Sequence, residues 1–130
     1  MTVHYEVDES AALIRTSCVG DVTLDQVLDH FRELEADPIR PARLLNVLLD
    51  LSDCASTPEP DQLRAVSGQI ALVEESLRFG ACAIVAPRDV VFGLARMFEV
   101  FAGDHFQSTH VCRSRAEAEE WLRSQRSPRS

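Results

Sequence analysis

The chain has 130 residues, of which 45% are hydrophobic, and these values fit one domain with a substantial core. Its 13 basic and 21 acidic residues give a net charge of −8, which disfavours binding to nucleic acid or to an anionic membrane surface. No apolar run is long enough to span a bilayer, and the amino terminus lacks the pattern of a secretory signal. We therefore expect a cytoplasmic protein with no stable membrane insertion.

The residue usage disfavours several kinds of site. The chain contains no lysine, which excludes Schiff-base and P-loop chemistry. Its four cysteines include no C-x-x-C pair, and three of them lie in apolar, strand-like segments, so we expect buried, reduced thiols. His110 and Cys112 share one face of a predicted strand, but no second pair of ligands accompanies them. We therefore expect no metal site and no cofactor.

The first third of the chain predicts a hairpin followed by a helix. Val3–Val7 and Ala11–Cys18 have strand-like patterns, and the short polar segment between them predicts an antiparallel pair closed by Gly20. Thr23 begins a capping box and opens a helix that carries one apolar stripe. The dipeptide Asp37–Pro38 is predicted to end that helix.

The remainder of the chain alternates between strands and helices. Three apolar segments predict strands: Leu44–Leu51, Ala81–Ala86 and Phe106–Cys112. A helix begins near Asp61, and a second helix is capped by Asp89 and ends at Gly103. Ser114 and Glu117 form another capping box, which opens a last helix.

The predicted order of elements is β-β-α-β-α-β-α-β-α. This order indicates an α/β fold with a mostly parallel five-stranded sheet, an amino-terminal antiparallel hairpin and four helices. We predict one domain over residues 1–123, with the last helix ending near Arg123, and a polar tail over residues 124–130.

The element order and three segments carry a resemblance to a known family. The segments are RLLNVLLDLSD, IVAPRDVVFGLARMFEVF and SRAEAEEWL. Together they resemble the SpoIIAA-like branch of the STAS/SEC14-type family over about Tyr5–Leu122, most distinctively at Phe92–Phe98. This resemblance implies the same fold and a regulatory binding module rather than an enzyme. Better-understood STAS domains carry a phosphorylated serine in a D-S-S-G-L segment, which this chain replaces with DCASTPEP after Ser52, so the resemblance assigns no phosphoserine here.

Polar residues cluster where two of the predicted buried strands end, which is the edge at which open α/β sheets bind ligands. We define them as the rim: Asp50, Ser52, Asp53, Ser56, Thr57, Arg88 and Asp89. Arg88 is placed to pair with an anionic ligand or with a phosphorylated Ser52. In the alternative interpretation, Arg88 pairs with Asp50 or Asp53, and the hydroxyl groups bond to the loop backbone.

The helix that follows the rim contains an unusual apolar pattern. Helical periodicity places one wide core face on Val90, Val91, Leu94, Ala95, Met97, Phe98 and Phe101. The side expected to face water carries two further apolar residues, Phe92 and Val100, beside the charged Arg96. We define the apolar docking helix by Phe92, Arg96, Met97, Val100 and Phe101. Either Phe92 stacks on Arg96 and neighbouring loops cover the rest, or this helix docks a partner, a second copy or an apolar ligand.

No pattern in the chain indicates catalysis. The G-x-S-x-G motif is absent, and nothing in the sequence places a histidine beside Cys54. We therefore predict no catalytic residue, and a hydrolase that uses Ser52 or Cys54 is a distant alternative.

The sequence predicts a regulatory module that binds a protein partner or a second copy of itself without catalysis. The alternative is a carrier or sensor of a small amphipathic molecule. In that alternative, Phe92, Met97 and Phe101 line the apolar pocket, and Arg88 or Arg96 holds the polar end of the ligand.

Overall fold

The computed structural model describes residues 2–36, 44–55, 57, 59–73 and 78–125. Within them the elements follow the predicted order and confirm the α/β fold. The elements are β1 (Thr2–Asp8), β2 (Leu13–Val19), α1 (Leu24–Ala36), β3 (Leu45–Asp50), α2 (Pro60–Val73), β4 (Phe79–Val85), α3 (Asp89–Ala102), a short 3₁₀ helix (Gly103–His105), β5 (Ser108–Cys112) and α4 (Arg115–Gln125).

The five strands form one sheet in the order β1-β2-β3-β4-β5. β1 and β2 are antiparallel, as the hairpin prediction requires, and the other neighbouring pairs are parallel. A helix connects each parallel strand to the next, because a parallel pair needs a crossover rather than a tight turn. This topology places β3 at the centre of the sheet and brings the carboxyl ends of β2, β3 and β4 to one edge.

The two faces of the sheet are covered unequally. Helices α1, α2 and α3 lie on one face, where Ile14, Ile84 and Phe98 belong to a single apolar cluster. The opposite face is covered by α4, whose Leu122 packs in a second cluster with the fully buried Leu48. Continuous apolar strands are expected wherever both faces of a parallel sheet are covered.

Two residues with positive φ set the limits of β2. Ala12 has φ 53, so the turn of the hairpin includes Ala12 and the strand begins at Leu13 rather than at Ala11. Gly20 has φ 74 and closes the hairpin region as predicted, in a conformation that glycine adopts without steric cost. Gly20 also bridges to Cys54, which ties the end of β2 to the loop after β3.

The amino-terminal ends of the helices agree with the predictions except at α3. Thr23 and Gln26 form the predicted capping box, with each side chain accepting the other residue's backbone N–H at 3.2 and 2.8 Å. Asp89 is not the N-cap of α3: Arg88 occupies that position, and the Asp89 carboxylate instead accepts a hydrogen bond from Arg113 at 2.7 Å. Ser114 Oγ accepts the backbone N–H of Glu117, as predicted for a cap.

In the last third of the chain, the boundaries of the elements differ from the predicted ones by a few residues. Helix α3 continues into the 3₁₀ helix because Gly103 keeps right-handed dihedral angles instead of stopping the helix. Strand β5 accordingly begins at Ser108 rather than Phe106, and α4 extends to Gln125 rather than Arg123. The predicted end of α1 at Asp37–Pro38 lies outside the described residues.

Candidate functional site

A large apolar cavity lies between the sheet and the three helices that cover one of its faces. Its volume is about 510 Å³, and side chains from α1, α2, α3 and the sheet line it. Volumes of roughly 300–1,000 Å³ are typical of small-molecule sites. The candidate site residues predicted from the sequence lie on the sheet edge and on α3, so the position of this cavity was not predicted.

On the central strand, the side chains that face the three-helix layer are less buried than the side chain that faces α4. Val47 and Leu49 point from β3 toward that layer and line the cavity, yet both are only partly buried. Leu48, between them on the other face, is 0% exposed under α4. A central strand in close contact with helices on both faces buries both sets of side chains. Helix α2, which lies in the same layer, packs mainly against α1 and α3.

The two ends of the cavity differ in polarity. The exposed residues Asp21, Thr23 and Thr57 line the end at the carboxyl ends of the strands. Buried apolar residues such as Ile70 and Phe79 close the opposite end. Phe79 and Ile84 both line the cavity from β4, so it extends about 17 Å along the strands. The cavity is therefore an elongated apolar space with a polar opening.

His30 is the polar group of the cavity wall whose environment is most unusual. It lies on α1, is 8% exposed, and its Nδ1 has no hydrogen-bond partner among the described residues. The rings of Tyr5 and Phe31 lie with their centroids 5.2 Å from its ring. Burial lowers the pKa of His30 from its usual 6.5 to about 4, so the imidazole is neutral at pH 7.

Three of the four cysteines also line the cavity, and all four are buried free thiols, as predicted. Burial raises the pKa of Cys18 to about 12, and it raises the pKa of Cys82 to about 12 as well. Both thiols are therefore protonated near neutral pH and contribute apolar surface, since the thiolate is the reactive form.

The predicted rim is largely occupied by structural contacts. Asp50 accepts the backbone N–H of Ser52 at 2.9 Å and pairs with Arg115 at 3.4 Å. Arg88 donates to the carbonyl oxygen of Cys54 at 2.7 Å, so the predicted pairing of Arg88 with Asp50 or Asp53 is wrong. The reason is that the loop after β3 presents a backbone carbonyl to Arg88 and turns the carboxylate of Asp50 toward α4.

The remaining rim residues are distributed over three environments. The backbone carbonyl of Asp53 accepts the N–H of Gly20 at 2.9 Å and so fixes the loop. Asp89 is held by Arg113, and Ser56 lies outside the described residues. Thr57 is the member of this group that lines the cavity. The structure therefore does not bring the rim together as one site.

The core face predicted for α3 is wider than the one observed. The buried stripe consists of Val91, Ala95, Phe98 and Ala102. Val90 and Met97, which were assigned to the core, are 58% and 37% exposed. Phe101 packs under the guanidinium of Arg64 on α2, and Val90 and Met97 lie further around α3 from the buried stripe.

Phe92 stacks on a different partner from the one predicted. The Arg113 guanidinium lies 4.3 Å from the centre of its ring, whereas Arg96 forms an ion pair with Glu99 at 3.1 Å. Arg113 follows β5 directly, so the sheet edge brings it beside α3. Val100 is 80% exposed. Phe92, Met97 and Phe101 are not among the described residues that line the cavity.

No cluster of three or more His, Cys, Asp or Glu side chains suited to a metal ion occurs in the part of the chain that the structure describes. His110, considered above as half of a ligand pair, stacks on Trp121 with a centroid distance of 5.1 Å and faces Glu117 at 3.3 Å. Within the same described residues, no helix is long and apolar enough to cross a bilayer.

Comparison with known proteins identifies the fold. No protein-family model matches the chain, and no curated protein matches it. A solved structure that does match is an uncharacterised protein from the DUF3478 family with a SpoIIAA-like fold, from Shewanella loihica PV-4. The TM-score is 0.62 at 15% sequence identity, over 93% of this chain and 92% of the other. The chain therefore has a SpoIIAA-like fold, which confirms the predicted resemblance at the level of the fold.

Proposed function

We propose that this protein binds a small, predominantly apolar molecule in the cavity between the sheet and α1–α3, as a carrier or sensor. The observation that carries the proposal is the pair Val47 and Leu49, which are only partly buried on the central strand and face an elongated space of about 510 Å³. A ligand that fills this space completes the burial of the strand on its second face.

The energetics of such a space support a bound molecule. If nothing filled this space, its apolar wall would lack contacting atoms on one side and would lose their dispersion attraction. Water is a poor alternative filling, because each water molecule needs two to four polar partners and the closed end is lined by residues such as Leu34, Ile70 and Phe79. An apolar ligand satisfies the wall without requiring those partners.

Non-covalent binding, rather than catalysis, is the form of activity that we propose. The thiols of Cys18 and Cys82 in the cavity wall have pKa values raised to about 12, so they are protonated and are poor nucleophiles. The Asp50 carboxylate, which accepts the backbone N–H of Ser52, also pairs with Arg115. These contacts give the Asp50 carboxylate a structural role.

The experiment is a fluorescence titration with diphenylhexatriene, an uncharged hydrocarbon probe that is dark in water and bright in an apolar environment. We expect saturable binding of about one probe molecule per chain. The variant Leu49→Trp places a larger side chain in the cavity and should reduce probe affinity at least tenfold. Its matched control is Leu72→Trp, the same substitution at a residue that is 56% exposed on α2, which should bind the probe as the native chain does.

Two outcomes would overturn the proposal. One is that the native chain, folded by circular dichroism, does not increase the fluorescence of the probe. The other is that Leu49→Trp binds the probe as tightly as Leu72→Trp, which would place the binding site outside the cavity.

Association with a protein is a second candidate function, and the outer surface of α3 supports it. Val90, Met97 and Val100 are exposed apolar residues on one side of that helix. The partner that we propose is a second copy of this chain. Light scattering should then give a dimer mass that becomes a monomer mass in Val100→Asp. A native chain that is monomeric at high concentration would contradict self-association.

A further inference from the structure

We infer that the molecule bound in the cavity contains a flat, fused-ring aromatic group, and that this group inserts into the closed half of the cavity, the half farther from the polar opening. This inference rests on the proposed function and names the chemical class of the ligand. Two features of the cavity carry it: the positions of four phenylalanines and the breadth of its floor.

The first observation is where the phenylalanines lie. Four of the six phenylalanines in the chain line the cavity: Phe31, Phe79, Phe98 and Phe106. Phe79 is the first residue of β4, and Phe106 lies two residues before β5, so both are at the end opposite to the polar opening. Their ring centroids are 5.5 Å apart and the rings are tilted by 41°, which is the arrangement of an aromatic pair.

The two phenylalanines on helices lie toward the same end. Helix α1 follows the carboxyl end of β2 and α3 follows that of β4, so both helices run away from the polar opening. Phe31 lies about 10 Å along α1 from its first residue, and Phe98 lies about 13 Å along α3. All four rings therefore line the closed half, whereas residues such as Leu51, Cys54 and Thr57 line the half near the opening.

The second observation is the breadth of the cavity floor. Thr16, Leu49 and Ile84 lie side by side on β2, β3 and β4, and all three line the cavity. Neighbouring strands are about 4.8 Å apart, so the floor is about 10 Å broad. A fused-ring molecule covers a floor that is broad as well as long, whereas a single extended hydrocarbon chain leaves part of it uncovered.

The chemistry of the closed half favours an aromatic ligand over a saturated one. Aromatic rings attract one another in edge-to-face and offset-stacked arrangements, because the ring edge is partly positive and the face partly negative. One such contact raises affinity by about two- to tenfold beyond the effect of burial. A saturated ligand with the same carbon skeleton gains only from burial of its apolar surface.

The test is displacement of diphenylhexatriene from the native chain by three alcohols that each have ten carbon atoms: 2-naphthol, decahydro-2-naphthol and decanol. They represent a flat aromatic bicycle, a puckered saturated bicycle and an open chain. Because 2-naphthol is the least hydrophobic of the three, burial of apolar surface alone ranks it last. We expect it instead to displace the probe about threefold or more better than either saturated alcohol. Any ranking in which a saturated alcohol equals or exceeds 2-naphthol would overturn the inference.

The variant Phe106→Leu tests the closed half, because it removes one ring and leaves an apolar side chain. It should bind 2-naphthol about threefold more weakly and should bind decahydro-2-naphthol as the native chain does. The matched control is Phe92→Leu, at a phenylalanine of α3 that is also partly buried and is not among the described residues that line the cavity. Equal affinity of the two variants for 2-naphthol would overturn the assignment to the closed half.

Binding of diphenylhexatriene separates the possible failures. A variant that still binds the probe is folded, so a loss of 2-naphthol affinity in it reports on the ring that was removed. If the native chain does not bind the probe at all, the proposed function itself fails. If the native chain binds the probe but does not prefer 2-naphthol, the inference fails and the proposed function stands.

A measurement on the native chain needs no substitution. The ring current of bound 2-naphthol should shift the methyl resonances of Leu34 and Ile70, which line the closed end, more than those of Leu51 near the opening. Decahydro-2-naphthol has no ring current and should shift all of them less. Shifts that are largest at Leu51 would place the aromatic group at the opening and would contradict the inference.

Discussion

His30 occupies a position on α1 where the helical pattern favours an apolar side chain. Phe31 and Leu34 in the same helix are buried, and His30 is buried with them. A polar ring that is buried without a partner for one nitrogen lowers stability by roughly 1–3 kcal/mol.

The protonation of His30 predicts how stability depends on pH. Its folded pKa of about 4 lies below the unfolded value of 6.5, so the unfolded chain binds the proton more readily. Titration of His30 therefore does not lower the stability above pH 6.5, but it lowers the free energy of unfolding by up to roughly 3 kcal/mol as the pH falls toward 4. Urea denaturation at pH 7 and at pH 4.5 should show this fall in the native chain and a clearly smaller fall in His30→Phe.

The matched control for that measurement is Leu72→Phe, at a residue of α2 that is 56% exposed and does not titrate. It should keep the pH dependence of the native chain. An equal loss of stability in His30→Phe and the native chain between the two pH values would contradict the assignment of this dependence to His30.

At the scale of elements, the order and type of the strands and α-helices in the described residues followed from apolar periodicity and capping residues. The capping box of Thr23 and Gln26 is an example, because it depends on neighbours three residues apart. The limits of β2 were less predictable, since Ala12 adopts a left-handed conformation that its residue type does not favour.

The candidate site was much less predictable than the fold. An apolar strand has the same pattern whether its side chains meet a helix or line a cavity, so nothing in LLNVLLDL distinguished Leu49 from Leu48. The contacts of Arg88 and Phe92 join residues that are far apart in the chain, and local spacing does not encode them. One local feature of the sequence could have indicated the cavity wall: His30 is a histidine on the apolar stripe of a helix.

The two faces of β3 predict opposite responses to the same substitution. Leu48 is fully buried under α4, so Leu48→Phe overpacks that face and should lower the free energy of unfolding by about 1–3 kcal/mol. Leu49 faces the cavity, which has room for the added atoms, so Leu49→Phe should change stability by less than about 0.5 kcal/mol. Chemical denaturation of both variants measures the difference. Equal destabilisation would show that the helix layer is closely packed against β3.

At the scale of the whole molecule, the unequal covering of the sheet creates the site. One helix, α4, packs closely on one face, whereas three helices lie over the other face and enclose the cavity between them and the strands. The polar opening lies at the carboxyl ends of the parallel strands, the edge at which open α/β sheets usually bind ligands. The same fold can therefore present a regulatory surface or an internal binding site, and the fold alone does not assign a function.

The measurement that tests the central claim most directly is native mass spectrometry of the chain after incubation with decanol, beside the same sample denatured. We predict uptake of one decanol molecule per chain, lost on denaturation and strongly reduced in Leu49→Trp. A molecule retained from purification and released on denaturation would support the same claim. A native chain that keeps its bare mass, both as purified and with excess decanol, would contradict it.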